Sequence, residues 1–123
     1  MTVLQVTDLE RSIAFYARLG FFSHGTWGAP PSFAIVQTGA VTIALDRGKT
    51  TPPLNQWWAA YIYVEDAEAL RQAFVSAGIE ATEMNRPTDY GCMDFDVIDP
   101  DGHRIAFGQA LNPVPGPGLQ TPP

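Results

Sequence analysis

Apolar and polar positions alternate with a period of two over several short stretches and with a period near 3.6 over two others, and the order of these periods recurs. Residues 2–7 place Leu4 and Val6 on one face of a β-branched strand. Leu9, Ile13 and Tyr16 follow at helical spacing, with Asp8 suited to the N-cap and Gly20 to the point where the chain leaves the helix. Phe21 and Phe22 open a second strand. A loop from Gly25 to Pro31, rich in Gly and Pro, carries Trp27, and strands over 32–37 and 41–46 join at Thr38-Gly39. The first unit therefore reads β-α-β-β-β, and residues 47–56 read as a linker.

The same order returns with a strand from Trp58 to Val64, a helix from its cap Asp66 to about Ala77, Gly78 closing it, and a strand over Ile79 to Met84. A hairpin completes the unit. In Asp94 to Phe107, Phe95, Val97, Ile105 and Phe107 share one face, while Asp99-Pro100-Asp101-Gly102 has turn chemistry. A shift of 58 lays Leu4 on Ile62, Val6 on Val64, Asp8 on Asp66, Tyr16 on Phe74 and Gly20 on Gly78. A shift of 62 lays Phe33 on Phe95, Ile35 on Val97, Ile43 on Ile105 and Leu45 on Phe107. Matches on caps and core positions mark a structural repeat.

The expected fold is α+β: two paired βαβββ modules forming a curved mixed sheet with a concave cavity. Module one spans 1–46 and module two 57–109, together one domain over 1–109, before a Pro- and Gly-rich tail at 110–123. Helices are expected on the face of Leu4, Val6, Ile62 and Val64. The concave face is then expected to carry Val3, Gln5, Ala34, Val36, Thr42, Ala44, Asp46, Ala59, Tyr61, Tyr63, Asp94, Asp96, Arg104 and Ala106.

Charge narrows the partners. The formal charge is −6, and residues 62–123 hold ten acids and three bases against three acids and four bases in 1–61. Phosphate binding requires a basic surface, so nucleic acid is excluded as a partner, whereas a cationic ligand is favoured. No apolar run approaches the length of a membrane span, and the N-terminal residues lack a secretory pattern, so a cytoplasmic location is expected. Cys92 is the one cysteine, which excludes an internal disulfide and any multi-thiolate metal site.

Three segments together resemble the vicinal oxygen chelate superfamily, which includes glyoxalase I, extradiol dioxygenases, fosfomycin resistance enzymes and bleomycin resistance proteins. They are Val6 to Tyr16 with Leu19-Gly20-Phe21, Tyr63-Val64-Glu65-Asp66 with its helix, and Tyr90-Gly91 through Asp99-Pro100-Asp101-Gly102-His103-Arg104-Ile105. The resemblance implies a divalent metal in the enzymes of the group, with ligands at positions that here hold Met1, Ala59 and Ala106. A thioether and two methyl groups do not suit such a cation. What remains resembles the bleomycin resistance proteins, whose resemblance implies a homodimer that sequesters a drug in crevices at the subunit interface. Where those proteins often read Trp-Gly-x-Arg-Glu-Phe, this chain reads Tyr90-Gly91-Cys92-Met93-Asp94-Phe95.

The side chains expected to bind ligand are Trp27, Asp46, Trp57, Trp58, Tyr61, Tyr63, Tyr90, Asp94, Asp96 and Arg104. Tyrosines supply flat amphipathic walls, carboxylates pair with positive charge, and adjacent indoles such as Trp57 and Trp58 face opposite ways on a strand. His24 and His103 read as a surface residue and a turn residue, and Cys92 as a small hydrophobe. The expectation is a protein without metal, cofactor or catalytic residue that sequesters an aromatic, cationic small molecule such as an antibiotic. The alternative is a small-molecule enzyme of the same superfamily, of lyase, isomerase or dioxygenase type.

Overall fold

The computed structural model describes residues 1–48, 58–85 and 91–111. Their elements run β1 (Thr2–Gln5), α1 (Leu9–Arg18), β2 (Phe22–Trp27), β3 (Phe33–Thr38), β4 (Val41–Asp46), β5 (Trp58–Tyr63), α2 (Ala67–Ser76), β6 (Cys92–Ile98) and β7 (Arg104–Ala110). Most of the expected linker and nearly all of the expected tail lie outside the described residues. Two compact units result: Met1–Ala60 with Ile98–Ile105, and Tyr61–Val97 with Ala106–Pro123. One sheet has the order β1-β4-β3-β2 and the other β5-β7-β6.

The repeat is visible bond by bond. Asp8 caps α1 by accepting from the Arg11 N–H at 3.0 Å, and Asp66 caps α2 by accepting from the Ala69 N–H at 3.0 Å. Each helix closes the same way: the Phe21 N–H donates to the Tyr16 carbonyl and the Ile79 N–H to the Phe74 carbonyl, both at 2.9 Å. Gly20 and Gly78 stand at φ 100° and 82°, the left-handed exit that a side chain resists. Past β1, the Val6 N–H donates to Asp46 O at 2.9 Å, and past β5 the Val64 N–H donates to Gly108 O at 2.8 Å. These offsets are 58 on the donor side and 62 on the acceptor side, as the sequence repeat requires.

In the first unit α1 lies against β2, β3 and β4. Leu4, Val6, Tyr16, Phe21, Ala34, Val36, Ile43 and Leu45 are buried. In the second, Phe74 of α2 meets Phe95 and Phe107 edge-on, with centroids 6.0 and 5.3 Å away, and those two stack at 5.5 Å. Burying each such ring contributes about 1.5–3 kcal/mol, so these clusters decide which sheet face is inside.

Three expectations change. First, β3 sits one residue out of the expected register: Ala34 pairs with Leu45 and Val36 with Ile43, so Ala34 and Val36 face the core and Phe33 and Ile35 the opposite side. The cause is the hairpin. Thr38 pairs with Val41 across a two-residue connection, whereas Asp99 and His103 bracket a three-residue one, so the shift along β3 is 61 rather than 62. A slip of one residue exchanges the faces of a whole strand. Second, Trp27 ends β2 instead of lying in a loop. A bulge between Ser23 and Gly25 takes up His24 as the extra residue, and pairing resumes at Gly25 and runs through Trp27 with Phe33.

Third, the strand expected over Ile79–Met84 forms no regular ladder. The Thr82 N–H donates to Asp96 O at 2.9 Å, and Asn85 exchanges backbone bonds with Asp94 at 2.7 and 3.0 Å. Those pairings differ by one residue in register. Between them the Thr82 hydroxyl accepts from the Asp96 N–H at 2.8 Å, while its carbonyl accepts from Arg71 Nε at 2.7 Å. Side chains have taken over the bonds that a ladder would have made.

Candidate functional site

On the side of the four-stranded sheet away from α1, one cross-strand row reads Gln5, Asp46, Phe33, Trp27, each residue paired with the next. Gln5 Nε2 donates to Asp46 Oδ2 at 2.9 Å, which fixes the carboxylate beside Phe33. Phe33 and Trp27 meet with centroids 6.0 Å apart at 63°, and Trp27 remains 49% exposed. Two residues expected to bind ligand, Trp27 and Asp46, are thus brought together. Phe33 between them was missed because of the register slip, and the short Gly39-Ala40 hairpin was the signal that would have revealed it.

The second unit carries a cluster of its own on the corresponding face. Tyr61, Tyr63, Cys92 and Asp94 lie on the side opposite Phe95 and Phe107 by strand alternation. The Tyr61 hydroxyl donates to Asp94 Oδ2 at 2.9 Å, and the Tyr61 and Tyr63 rings stand 5.0 Å apart at 52°. Asn85 Nδ2 approaches Asp94 Oδ1 at 3.4 Å. Burial, then the Asp94 bond, then Cys92 push the Tyr61 hydroxyl well above the ordinary tyrosine pKa. Burial and Cys92 raise Tyr63 as well. Both phenols therefore stay neutral donors at physiological pH, with Asp94 buried at 2% exposure behind them. Asn85 and Cys92 joined the cluster without any sequence signal beyond proximity in register.

The other expected residues are placed as follows. Trp58 opens β5 and is exposed, Asp96 is half-buried in β6, and Arg104 is half-buried at the start of β7. Trp57 and Tyr90 lie outside the described residues. His24 is exposed against Gln37, with its ring 5.1 Å from that of Phe22. His103 is a turn residue: its Nε2 donates to the Gln5 carbonyl at 2.7 Å.

The Asp-Pro-Asp-Gly turn belongs to the first unit and serves structure. Asp99 accepts from the Tyr16 hydroxyl at 2.9 Å and from the Asp101 and His103 N–H groups at 2.9 and 2.8 Å. Asp101 accepts from the Thr7 hydroxyl at 2.6 Å and lies 3.6 Å from Arg11. A cavity of about 460 Å³ opens between the first turn of α1, Pro30-Pro31 and Arg47. Beside it the Thr7 N–H donates to Asp101 and the Arg11 N–H to Asp8.

The resemblance places metal ligands at Met1, Ala59 and Ala106, and these do not fit a metal. Met1 is exposed, Ala59 half-buried, and the Ala106 methyl wholly buried in the sheet. Among the described residues no three of His, Cys, Asp and Glu converge on a point that would hold an ion. No helix among them is long and apolar enough to cross a membrane.

Structures of known proteins share this fold. A bleomycin resistance determinant encoded on the transposon Tn5 is 21% identical, over 89% of this chain and 94% of that one, with a TM-score of 0.74. A bleomycin-binding protein complexed with bleomycin is 22% identical over 87% and 93%, with a TM-score of 0.73. A lactoylglutathione lyase from Agrobacterium tumefaciens is 19% identical over 88% and 90%, with a TM-score of 0.68. At these identities the likeness establishes fold alone. No curated protein sequence matches the chain. The family model described as Glyoxalase/Bleomycin resistance protein/Dioxygenase superfamily matches residues 1–107, and with the internal repeat and the shared fold, the chain belongs to that superfamily.

Proposed function

We propose that the protein is a binding protein that sequesters a planar aromatic, positively charged small molecule, such as an antibiotic, without making or breaking a bond. The observation that carries this reading is the pairing of aromatic rings with a carboxylate in both units: Trp27 and Phe33 beside Asp46, and Tyr61 and Tyr63 beside Asp94. Rings supply stacking area at small entropic cost, and negative charge beside them favours a cation over a neutral analogue. The formal charge of −6 acts in the same sense at longer range. Support also comes from the neighbour solved with bleomycin bound.

The side chains proposed to contact ligand are Trp27, Tyr61 and Tyr63, with Trp57, Trp58 and Tyr90 as further aromatic contacts and Asp46, Asp94, Asp96 and Arg104 setting the local charge. A homodimer in the cytoplasm is part of the proposal. Val3, Phe22 and Trp27 are exposed apolar residues on one unit, the type of surface that a partner copy covers. Tryptophan fluorescence, titrated with a panel of glycopeptide and planar heteroaromatic antibiotics, tests the reading. Saturable quenching by a cationic aromatic member, with the compound recovered intact, is the expected outcome. The second reading, an enzyme, draws on the lyase among the structural neighbours. It gains if no compound quenches and protein purified without chelator carries a stoichiometric divalent ion and turns over a small substrate.

A further inference from the structure

Gly108 lies in β7, directly under the Tyr61 ring. A Cβ on Gly108 would stand 2.0 Å from the Tyr61 hydroxyl oxygen, 2.4 Å from Cζ and 2.6 Å from Cε1. No side chain fits there, so the ring rests on bare backbone, the close approach that a glycine inside a strand permits. Counting back from the Asp99–His103 bond, Asp94 stands opposite Gly108 on the neighbouring strand. Tyr61 therefore crosses the row over the glycine and reaches Asp94 Oδ2 at 2.9 Å. Asn85 approaches the other oxygen at 3.4 Å. With both oxygens engaged and 2% exposure, Asp94 is not presented to a ligand as a bare carboxylate. The position equivalent to Gly108 in the first unit is Asp46, whose side chain is half-buried beside Gln5.

We propose that Gly108 determines the specificity of this face: by admitting the Tyr61 ring it makes Asp94 a positioning residue and selects a planar aromatic cation, held by stacking, over an aliphatic amine that needs direct carboxylate contact. This rests on reading the Tyr61–Tyr63 face as ligand-bearing. A phenol held neutral by its burial and by Asp94 keeps its hydroxyl donating inward and its ring outward.

The test compares proflavine with spermidine, by dye fluorescence and calorimetry, on the full chain. Gly108→Ala is expected to weaken proflavine at least tenfold and to change its affinity less than twofold when Tyr61 is already alanine. Spermidine is expected to bind Gly108→Ala more tightly than the unsubstituted protein. Equal proflavine losses in both backgrounds would overturn the proposal. Asp94→Asn retains an acceptor for Tyr61 and is expected to weaken proflavine by less than tenfold, through the lost charge alone; a loss above tenfold would make Asp94 a direct ion partner and overturn the proposal. These two variants decide the matter even if one fails to fold. Ring-labelled tyrosine NMR reads the anchor without ligand: Tyr61 is expected to stay protonated at about pH 11 and to titrate near the ordinary value of about 10 in Gly108→Ala. If the unsubstituted protein binds neither probe, the ligand-bearing reading fails. An unchanged Tyr61 signal in Gly108→Ala sinks the specificity claim separately.

Discussion

Tyr16 carries its hydroxyl into the core and donates it to Asp99, and this buried phenol contributes to an alkaline limit on stability. Burial first, and Asp99 second, hold its pKa well above the ordinary 10.0. Above about pH 10 the unfolded chain releases this proton and the folded one keeps it, so stability present at lower pH declines by about 1.4 kcal/mol per pH unit from this group. Tyr61 and Tyr63 add to the decline in the same sense, so denaturant unfolding between about pH 9 and 11 is expected to show a slope in the unsubstituted protein that Tyr16→Phe makes shallower by this one group's share. At neutral pH Tyr16→Phe is expected to cost about 1–3 kcal/mol, because the buried Asp99 oxygen loses its donor. Ser12 presents the opposite case. Its hydroxyl is buried with no hydrogen-bond partner among the described residues, so Ser12→Ala removes an unmet polar group from a helix. Urea unfolding is expected to find it neutral or stabilising by up to about 1 kcal/mol, and a loss beyond that would reveal a hidden partner.

At the scale of elements, helices were legible because each carries its own punctuation. Asp8, Asp66, Gly20 and Gly78 announce four helix ends by chemistry that acts within one turn. Strand faces were less so. Apolar alternation in β3 is ambiguous, since Phe33 and Ile35 alternate with Ala34 and Val36 and both sets are hydrophobic. The repeat lays Phe33 and Ile35 on core positions, yet a hairpin one residue shorter sends them outward. Substitutions separate the two registers. Ala34→Phe is expected to destabilise by about 1–3 kcal/mol or prevent folding, because position 34 is wholly buried, whereas Phe33→Ala is expected to cost less in thermal unfolding and to weaken proflavine binding. The reverse order would restore the expected register. The Tyr61–Asp94 pair was half legible: alternation put both on one face, but only a tertiary approach over Gly108 joins them.

For the whole molecule, superfamily and repeat were readable over residues 1–107, because duplicated caps and core positions leave a periodic trace. Ligand identity was not, since it depends on which side chains converge, and one scaffold hosts many chemistries. The net charge of −6 does yield a prediction. Raising salt from about 0.05 to 0.5 M is expected to weaken proflavine several-fold while leaving a neutral aromatic analogue nearly unchanged, as calorimetry would measure. Equal sensitivity of the two would leave charge without a role in recognition. The Asp99 turn also bears on how the protein is made. Its bonds join residues 7 and 101, 16 and 99, and 5 and 103, so the amino-terminal unit depends on a segment synthesised 83 to 98 residues later. A nascent chain halted before that segment leaves the ribosome holds β1 to β4 with the Tyr16 hydroxyl lacking its acceptor, and its first unit waits for residues 98–105.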